Sequence, residues 1–206
     1  MNRADGGAIE LPCRFDTERL YLRRYRVGDG RWYYAMAVRN RAHLARYEAA
    51  NAAMGLSSEA EAESVVRRFA ADWEARNHFF LGAFRRKDDL FVAQVYVGPQ
   101  DLGLPSFVMG YFCDVDQQSH GYVTEAVRGA LGWLFEHLGA HRVTLYCDDT
   151  NERSARVAER CGFCREGHLR ETHRHGCYPI SGEYVYGLLR HEYLDRMMPD
   201  ADEAPQ

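Results

Sequence analysis

Residues 122–138, YVTEAVRGALGWLFEHL, carry an apolar stripe at Val123, Ala126, Val127, Ala130, Leu131, Leu134 and Leu138. Spacings of three and four place these side chains on one face, so the pattern predicts an amphipathic helix lying on a core. A second stripe, Val65, Val66, Phe69 and Trp73, runs through SSEAEAESVVRRFAADWEARN (57–77). Its opening serines and first-turn acids mark a helix N-terminus. Residues 31–45 predict a further helix, and NERSARVAERCGF (151–163) a short one with an asparagine cap and a glycine stop. Period-two alternation and β-rich runs mark strands at TERLYLRRYR (17–26), HFFLGAF (78–84), LFVAQVYV (90–97), SFVMGYFCDV (106–115) and HRVTLYCD (141–148). CREGHLRE (164–171) and GEYVYGLLRH (182–191) close the series around the loop THRHGCYPIS, and GPQDLGLP (98–105) reads as another loop.

The predicted order is β-α-α-β-β-β-α-β-α-β-β, a mixed α/β single domain over 14–194. Residues 1–13 and 195–206, rich in glycine, proline or acids, are expected to be flexible tails. The strand–helix–strand unit around 107–147 is the one evident crossover, so a regular doubly wound repeat is not expected. Neither G-x-G-x-x-G after an early strand nor G-x-x-x-x-G-K-[ST] occurs, which argues against dinucleotide and P-loop folds.

Composition adds exclusions. The net charge is −4 with both signs interspersed, which disfavours a nucleic-acid surface. No apolar run is long enough to cross a bilayer, and the first residues lack the apolar segment of a secretory signal. Six scattered cysteines (13, 113, 147, 161, 164 and 177) in a chain of 206 residues point to reduced thiols and a cytoplasmic setting. Of the 26 basic residues, Lys87 is the one lysine. Cys161-x-x-Cys164 straddles a helix stop and has no second pair, and His173-x-His175-x-Cys177 lacks a fourth ligand, so no metal is expected.

The joint Gln118-Ser119-His120-Gly121-Tyr122-Val123 links a strand to the helix 122–138. By spacing alone it is either an ordinary loop or an anion cradle built on free helix N–H groups. No acidic residue falls between Gln117 and Thr124, and downstream Asn151 and Ser154 open a helix on the same sheet edge. Together these stretches resemble the GNAT superfamily of acetyl-CoA-dependent N-acetyltransferases. Its pyrophosphate motif Q/R-x-x-G-x-G/A matches Gln118-x-x-Gly121-x-Val123, with valine at the last position and Ser119 where glycine is common. TERLYLRRYR, GYVTEAVRGALGWLF, NERSARVAERCGF and GEYVYGLLRHEY look most like the RimJ/RimL branch, over roughly residues 16–193.

The resemblance implies a central mixed, mostly antiparallel twisted sheet flanked by helices, with a splayed parallel strand pair holding CoA. It implies an acetyl-CoA-dependent transfer to an amine acceptor, by a monomer or homodimer, without metal. Phe112, Cys113 and Asp114 would meet the pantetheine arm, the backbone from Gln118 through Ser119, His120, Gly121, Tyr122 and Val123 to Thr124 the pyrophosphate, and Asn151 and Ser154 the thioester end. Many family members carry a tyrosine seven residues after the asparagine as the acid for the leaving thiol. Here that position is Ala158, which moves the candidate acid to Ser154, also readable as a helix-start hydrogen bonder. Asp114 or Asp116, through water, is the candidate base, although a solvated strand-end carboxylate is the stronger reading of each. Tyr47, His173 and His175 are candidates for the acceptor side. A peptide α-amine and a small-molecule amine are both open as acceptors. A CoA-binding module without efficient turnover is the alternative reading.

Overall fold

The structure is a computed structural model that describes residues 10–101 and 103–197. One eight-stranded sheet is formed by β1 (Arg14–Asp16), β2 (Leu20–Arg24), β3 (Phe79–Arg85), β4 (Phe91–Asp101), β5 (Ser106–Cys113), β6 (Arg142–Asp148), β7 (Cys164–His173) and β8 (Ser181–Leu189). The order across it is β1-β2-β3-β4-β5-β6-β8-β7. Neighbours are antiparallel except β5 and β6, which the crossover through α3 (Tyr122–His137) makes parallel. The remaining helices are α1 (Gly30–Leu44), α2 (Glu59–Glu74), α4 (Glu152–Arg160) and α5 (Arg190–Met197).

Side-chain alternation on β2 shows how two cores arise. Leu20 and Leu22 join the larger core with α3, whereas Tyr21 turns to the core beneath α1 and α2. The α3 stripe behaves as its spacing predicts: Ala126, Val127, Ala130, Leu131 and Leu134 are buried. Ser58 caps α2 by accepting from the Glu61 N–H at 3.2 Å.

Three readings change in the structure. The loop expected over 98–105 begins later, because β4 keeps pairing through Gly98↔Val108 and Pro99↔Phe107, with a register shift beyond Pro99. Proline has no N–H to donate, and the shift is where the ladder can spare one. The N-terminal tail expected over 1–13 lies outside the described residues for 1–9. Leu11, however, is buried in the larger core, and the Pro12 carbonyl accepts from Trp133 Nε1 at 3.2 Å. At the other end, α5 carries helix to Met197, with Tyr193 stacked on Phe135 at 4.6 Å and Arg190 donating to the Phe135 carbonyl. Those tertiary contacts stabilise a helix too short to stand alone. Residues 198–206 lie outside the described part.

Trp133 ties these pieces together. Its ring packs against Trp73 at 5.3 Å, Phe79 at 5.3 Å and Phe15 at 6.1 Å. Trp133→Ala should cost about 3–5 kcal/mol of unfolding free energy in a urea titration, by cavity creation and loss of ring contacts. A loss under about 1 kcal/mol would show that this cluster does not hold α3 to the sheet.

Candidate active site

β5 and β6 pair from Ser106↔Arg142 to Met109↔Leu145 and then part. Each strand keeps its other neighbour past that point: Cys113 is still opposite Ala93 on β4, and Asp148 opposite Glu183 on β8. The facing edges of residues 110–113 and 146–148 therefore lose each other and open a slot. Backbone groups there need partners that the sheet does not supply.

At the slot's mouth the chain passes through a short 3-10 turn, Val115–Gln117, and then reverses twice. Ser119 has φ +64° and Gly121 φ +77°, both left-handed. Gly121 is the N-cap of α3, and no side chain caps this helix, unlike α2 and α4. Its first N–H groups point into the joint with the positive end of the helix dipole behind them. A Cβ placed on Gly121 would meet nothing closer than Arg19 Nη2 at 3.5 Å, so glycine is needed for its φ and the space beside it is open. Val123 packs its side chain toward the larger core, leaving its backbone on the helix's first turn.

Glu125 in the first turn of α3 is turned away onto β2. It accepts from Thr17 Oγ1 at 2.6 Å, the Arg19 N–H at 2.7 Å and Arg19 Nε at 2.7 Å. Burial raises its carboxyl pKa, but these hydrogen bonds and the arginine outweigh burial and hold it below the usual range. Arg19 also donates to the His120 carbonyl and lies over the Tyr122 ring at 4.8 Å, while the His120 ring stacks on Tyr122 at 5.5 Å. On the opposite side, Arg153 of α4 donates to Gln118, whose own amide nitrogen bonds the Val115 carbonyl. Both arginines lie in stretches that carry the resemblance, but only the fold brings them to the joint.

The thioester end is organised around α4. Asn151 caps it by accepting from the Ser154 N–H at 3.2 Å. Ser154 Oγ lies 3.2 Å from the Tyr111 hydroxyl, which donates to the Ser154 carbonyl at 2.9 Å. Tyr111, on the unpaired part of β5, thus locks the serine's turn; its phenol pKa is raised by burial. Ala158 is fully buried beneath α4.

Asp114 sits differently from a free base. It is 1 % exposed, ion-paired with Arg39, and accepts from Asn40 Nδ2 at 2.9 Å and the Asp116 N–H at 3.1 Å. Asn40 in turn accepts from the Val115 N–H at 2.7 Å. This cluster pins α1 to the end of β5, a positioning role. Asp116 is exposed and lies 3.5 Å from Arg39 Nε. Cys113 is half-buried and burial pushes its thiol up to about 12, so it is a poor nucleophile at neutral pH. His43 of α1 hydrogen-bonds the Cys113 backbone; burial lowers its pKa, so the ring is neutral.

On the acceptor side, Tyr47 donates to the Thr150 carbonyl at 3.2 Å and meets the His175 ring edge-on at 6.1 Å. His175 bonds Asp148 at 2.9 Å and His173 bonds Glu183 at 3.0 Å, so both hold the β7–β8 connection to the sheet. Among the described residues no three His, Cys, Asp or Glu side chains are grouped to hold a metal ion, and the six cysteines are free thiols. No helix among those residues is long and apolar enough to cross a membrane. Phe112 faces a cavity of about 690 Å³ on the α1–α2 side, which Tyr47 also lines.

The family model for the acetyltransferase (GNAT) domain matches residues 19–164, and the chain belongs to that family. It is 24 % identical over 181 residues to the uncharacterized N-acetyltransferase YnaD of Bacillus subtilis, covering 86 % of this chain and 97 % of that one. Its fold is similar to ribosomal-protein-S5-alanine acetyltransferase from Vibrio fischeri, at TM-score 0.77 and 18 % identity, over 87 % of this chain and 98 % of that one. The RimL ribosomal alpha-N-protein acetyltransferase in complex with coenzyme A superposes at TM-score 0.74 and 15 % identity, over 87 % and 97 % of the two chains.

The hydrogen bonds that depress the Glu125 pKa stabilise the fold above the ordinary carboxyl pKa, and that stabilisation is lost as pH falls through the lowered value. Glu125→Gln should therefore be less stable than wild type near pH 7, with the gap closing below about pH 4. Equal gaps at both pH values in thermal melts would refute the assignment.

Proposed function

We propose that this GNAT acetyltransferase moves the acetyl group of acetyl-CoA directly onto a primary amine, either a peptide α-amine or a small molecule. The observation that carries the reading is the slot between β5 and β6, flanked by the uncapped N-terminus of α3 on one side and the Asn151–Ser154 turn on the other.

The residues fit such a ligand. A diphosphate suits the N–H groups after the left-handed Ser119 and Gly121, where the space is open and Arg19 and Arg153 stand on either side. An amide-bearing arm suits the unpaired strand edges at residues 110–113 and 146–148, which it would complete as an extra strand does. When bound, acetyl-CoA supplies a thioester carbonyl for attack and a thiol leaving group.

The rest falls to this chain's own groups. The free N–H groups of β5 near Cys113 are placed to stabilise negative charge on the carbonyl oxygen. Ser154, held by Asn151 and Tyr111, would relay to the departing sulfur the proton that the attacking amine gives up. A thiol of ordinary pKa near 8.5 needs only a modest donor. With Asp114 occupied by Arg39 and Asn40, positioning of an already neutral amine carries more of the rate than a strong base. An α-amine, with a pKa of about 7.7–8.0, is partly neutral at physiological pH.

Gly121→Glu should abolish acetyl-CoA binding in calorimetry while circular dichroism stays native; retained affinity would remove the diphosphate from this joint. Ser154→Ala should lower kcat about 10²-fold with acetyl-CoA affinity unchanged. Wild-type turnover would take the serine out of the proton path.

A further inference from the structure

The cavity on the α1–α2 side carries a charge pattern that acyl transfer by itself does not require. Its walls are largely aromatic, formed by Phe69, Phe80, Tyr96 and Phe112, and it reaches Gly110 and Tyr111 on the unpaired part of β5. It therefore opens toward the slot where the thioester would lie. Two carboxylates, Glu48 and Asp72, line it against one guanidinium, Arg68. At about 690 Å³ it falls in the size range of small-molecule sites.

Glu48 stands out among the chain's acids. Other less exposed carboxylates have a basic partner, arginine for Asp29 (Arg23), Asp114 (Arg39) and Glu125 (Arg19) and histidine for Asp148 (His175). Glu48 is half-buried, and its side-chain partner is a neutral amide, Asn51 Nδ2, at 3.1 Å. Burial raises its carboxyl pKa against the lowering effect of the Asn51 hydrogen bond, and among the described residues its carboxylate is in no ion pair. A carboxylate withdrawn from water without a counter-charge is held at a cost, and a cationic ligand would remove that cost. The neighbouring Tyr47 bonds Thr150 at the start of the β6–α4 connection, which ties the segment carrying Glu48 to that end of β6.

Building on the transferase reading above, we infer that Glu48 is the specificity-determining residue for the acceptor. It attracts the ammonium form of a small primary amine, whose aromatic or apolar body lies on Phe69, Phe80, Tyr96 and Phe112, and the amine yields its proton to solvent before attack. An acceptor with a carboxylate beside its amine would place like charges together in a half-buried site and be rejected. The buried Gln94, whose Oε1 accepts from Tyr25 at 2.8 Å, also lines the cavity and supplies one polar group to an otherwise apolar wall. An aromatic cavity of this size, lined by the Glu48 carboxylate, favours an arylalkylamine over a peptide, which would need backbone hydrogen-bond partners along its length.

The test compares three acceptors with the full chain and acetyl-CoA: 2-phenylethylamine, phenylalanine, and a short peptide amide with N-terminal serine. Wild type should acetylate 2-phenylethylamine with kcat/KM at least about 100-fold above phenylalanine, and above the peptide. Glu48→Gln should raise the KM for 2-phenylethylamine about tenfold or more and shrink that ratio, with the KM for acetyl-CoA unchanged. Calorimetry of 2-phenylethylamine against the CoA-saturated protein gives a second readout independent of turnover; binding should weaken to the same degree in Glu48→Gln. An unchanged ratio in the variant, equal binding by both proteins, absence of binding to wild type, or preference for the peptide would each overturn the assignment. Efficient turnover without charge discrimination would leave the transferase reading standing. Failure to bind acetyl-CoA would instead remove that reading, while amine binding to the protein still decides the role of Glu48.

Discussion

The parting of β5 and β6 after Met109 and Leu145 is the constraint on which the site depends. Two parallel strands that stopped pairing with all their neighbours would fray, and two that paired to their ends would leave no slot. Here each strand is held from its outer side, by β4 and by β8, so the gap stays open between two rigid edges. The backbone groups facing it are left without strand partners in a region otherwise built from satisfied ladders. An extended, amide-bearing ligand answers that deficit by geometry as much as by affinity.

Around the gap, side chains from distant parts of the chain set its ends. Asn40, Arg39 and Asp114 bind α1 to the tip of β5. Glu125 with Thr17 and Arg19 ties the first turn of α3 to β2 and removes a negative charge from the mouth. Tyr111 crosses from β5 to Ser154, and Arg153 crosses from α4 to Gln118. These links hold helix termini where N–H groups and a hydroxyl converge on one slot, and a preorganised arrangement of this kind is what acyl transfer draws on.

Charge divides the molecule's two faces of the reaction. The mouth at α3 is flanked by Arg19 and Arg153, with Glu125 neutralised, and suits an anion. The cavity under α1 and α2 has two carboxylates to one arginine, with aromatic walls, and suits a cation. A donor rich in phosphate and an acceptor bearing an amine would be drawn to opposite sides of β5.

The order of helices and strands was legible in periodicity because burial on one face repeats every 3.6 residues in α3 and every two in the strands. Ser58, Asn151 and Gly121 were legible because caps and left-handed turns act on their own neighbours. The short β1, the longer β4 and α5 were not, since pairing with Arg23, pairing with Phe107 and stacking on Phe135 come from residues far along the chain. The same distinction holds at the site. The chain by itself determined where a free helix N-terminus and a capped serine turn would lie, because those depend on local backbone geometry. Only the tertiary structure decided that Asp114 is bound by Arg39, that Arg19 and Arg153 stand at the joint, that Tyr111 holds Ser154 and that Glu48 lines an aromatic cavity. Electrostatic environment depends on which side chains are brought within a few ångströms, and no spacing along a single chain encodes that.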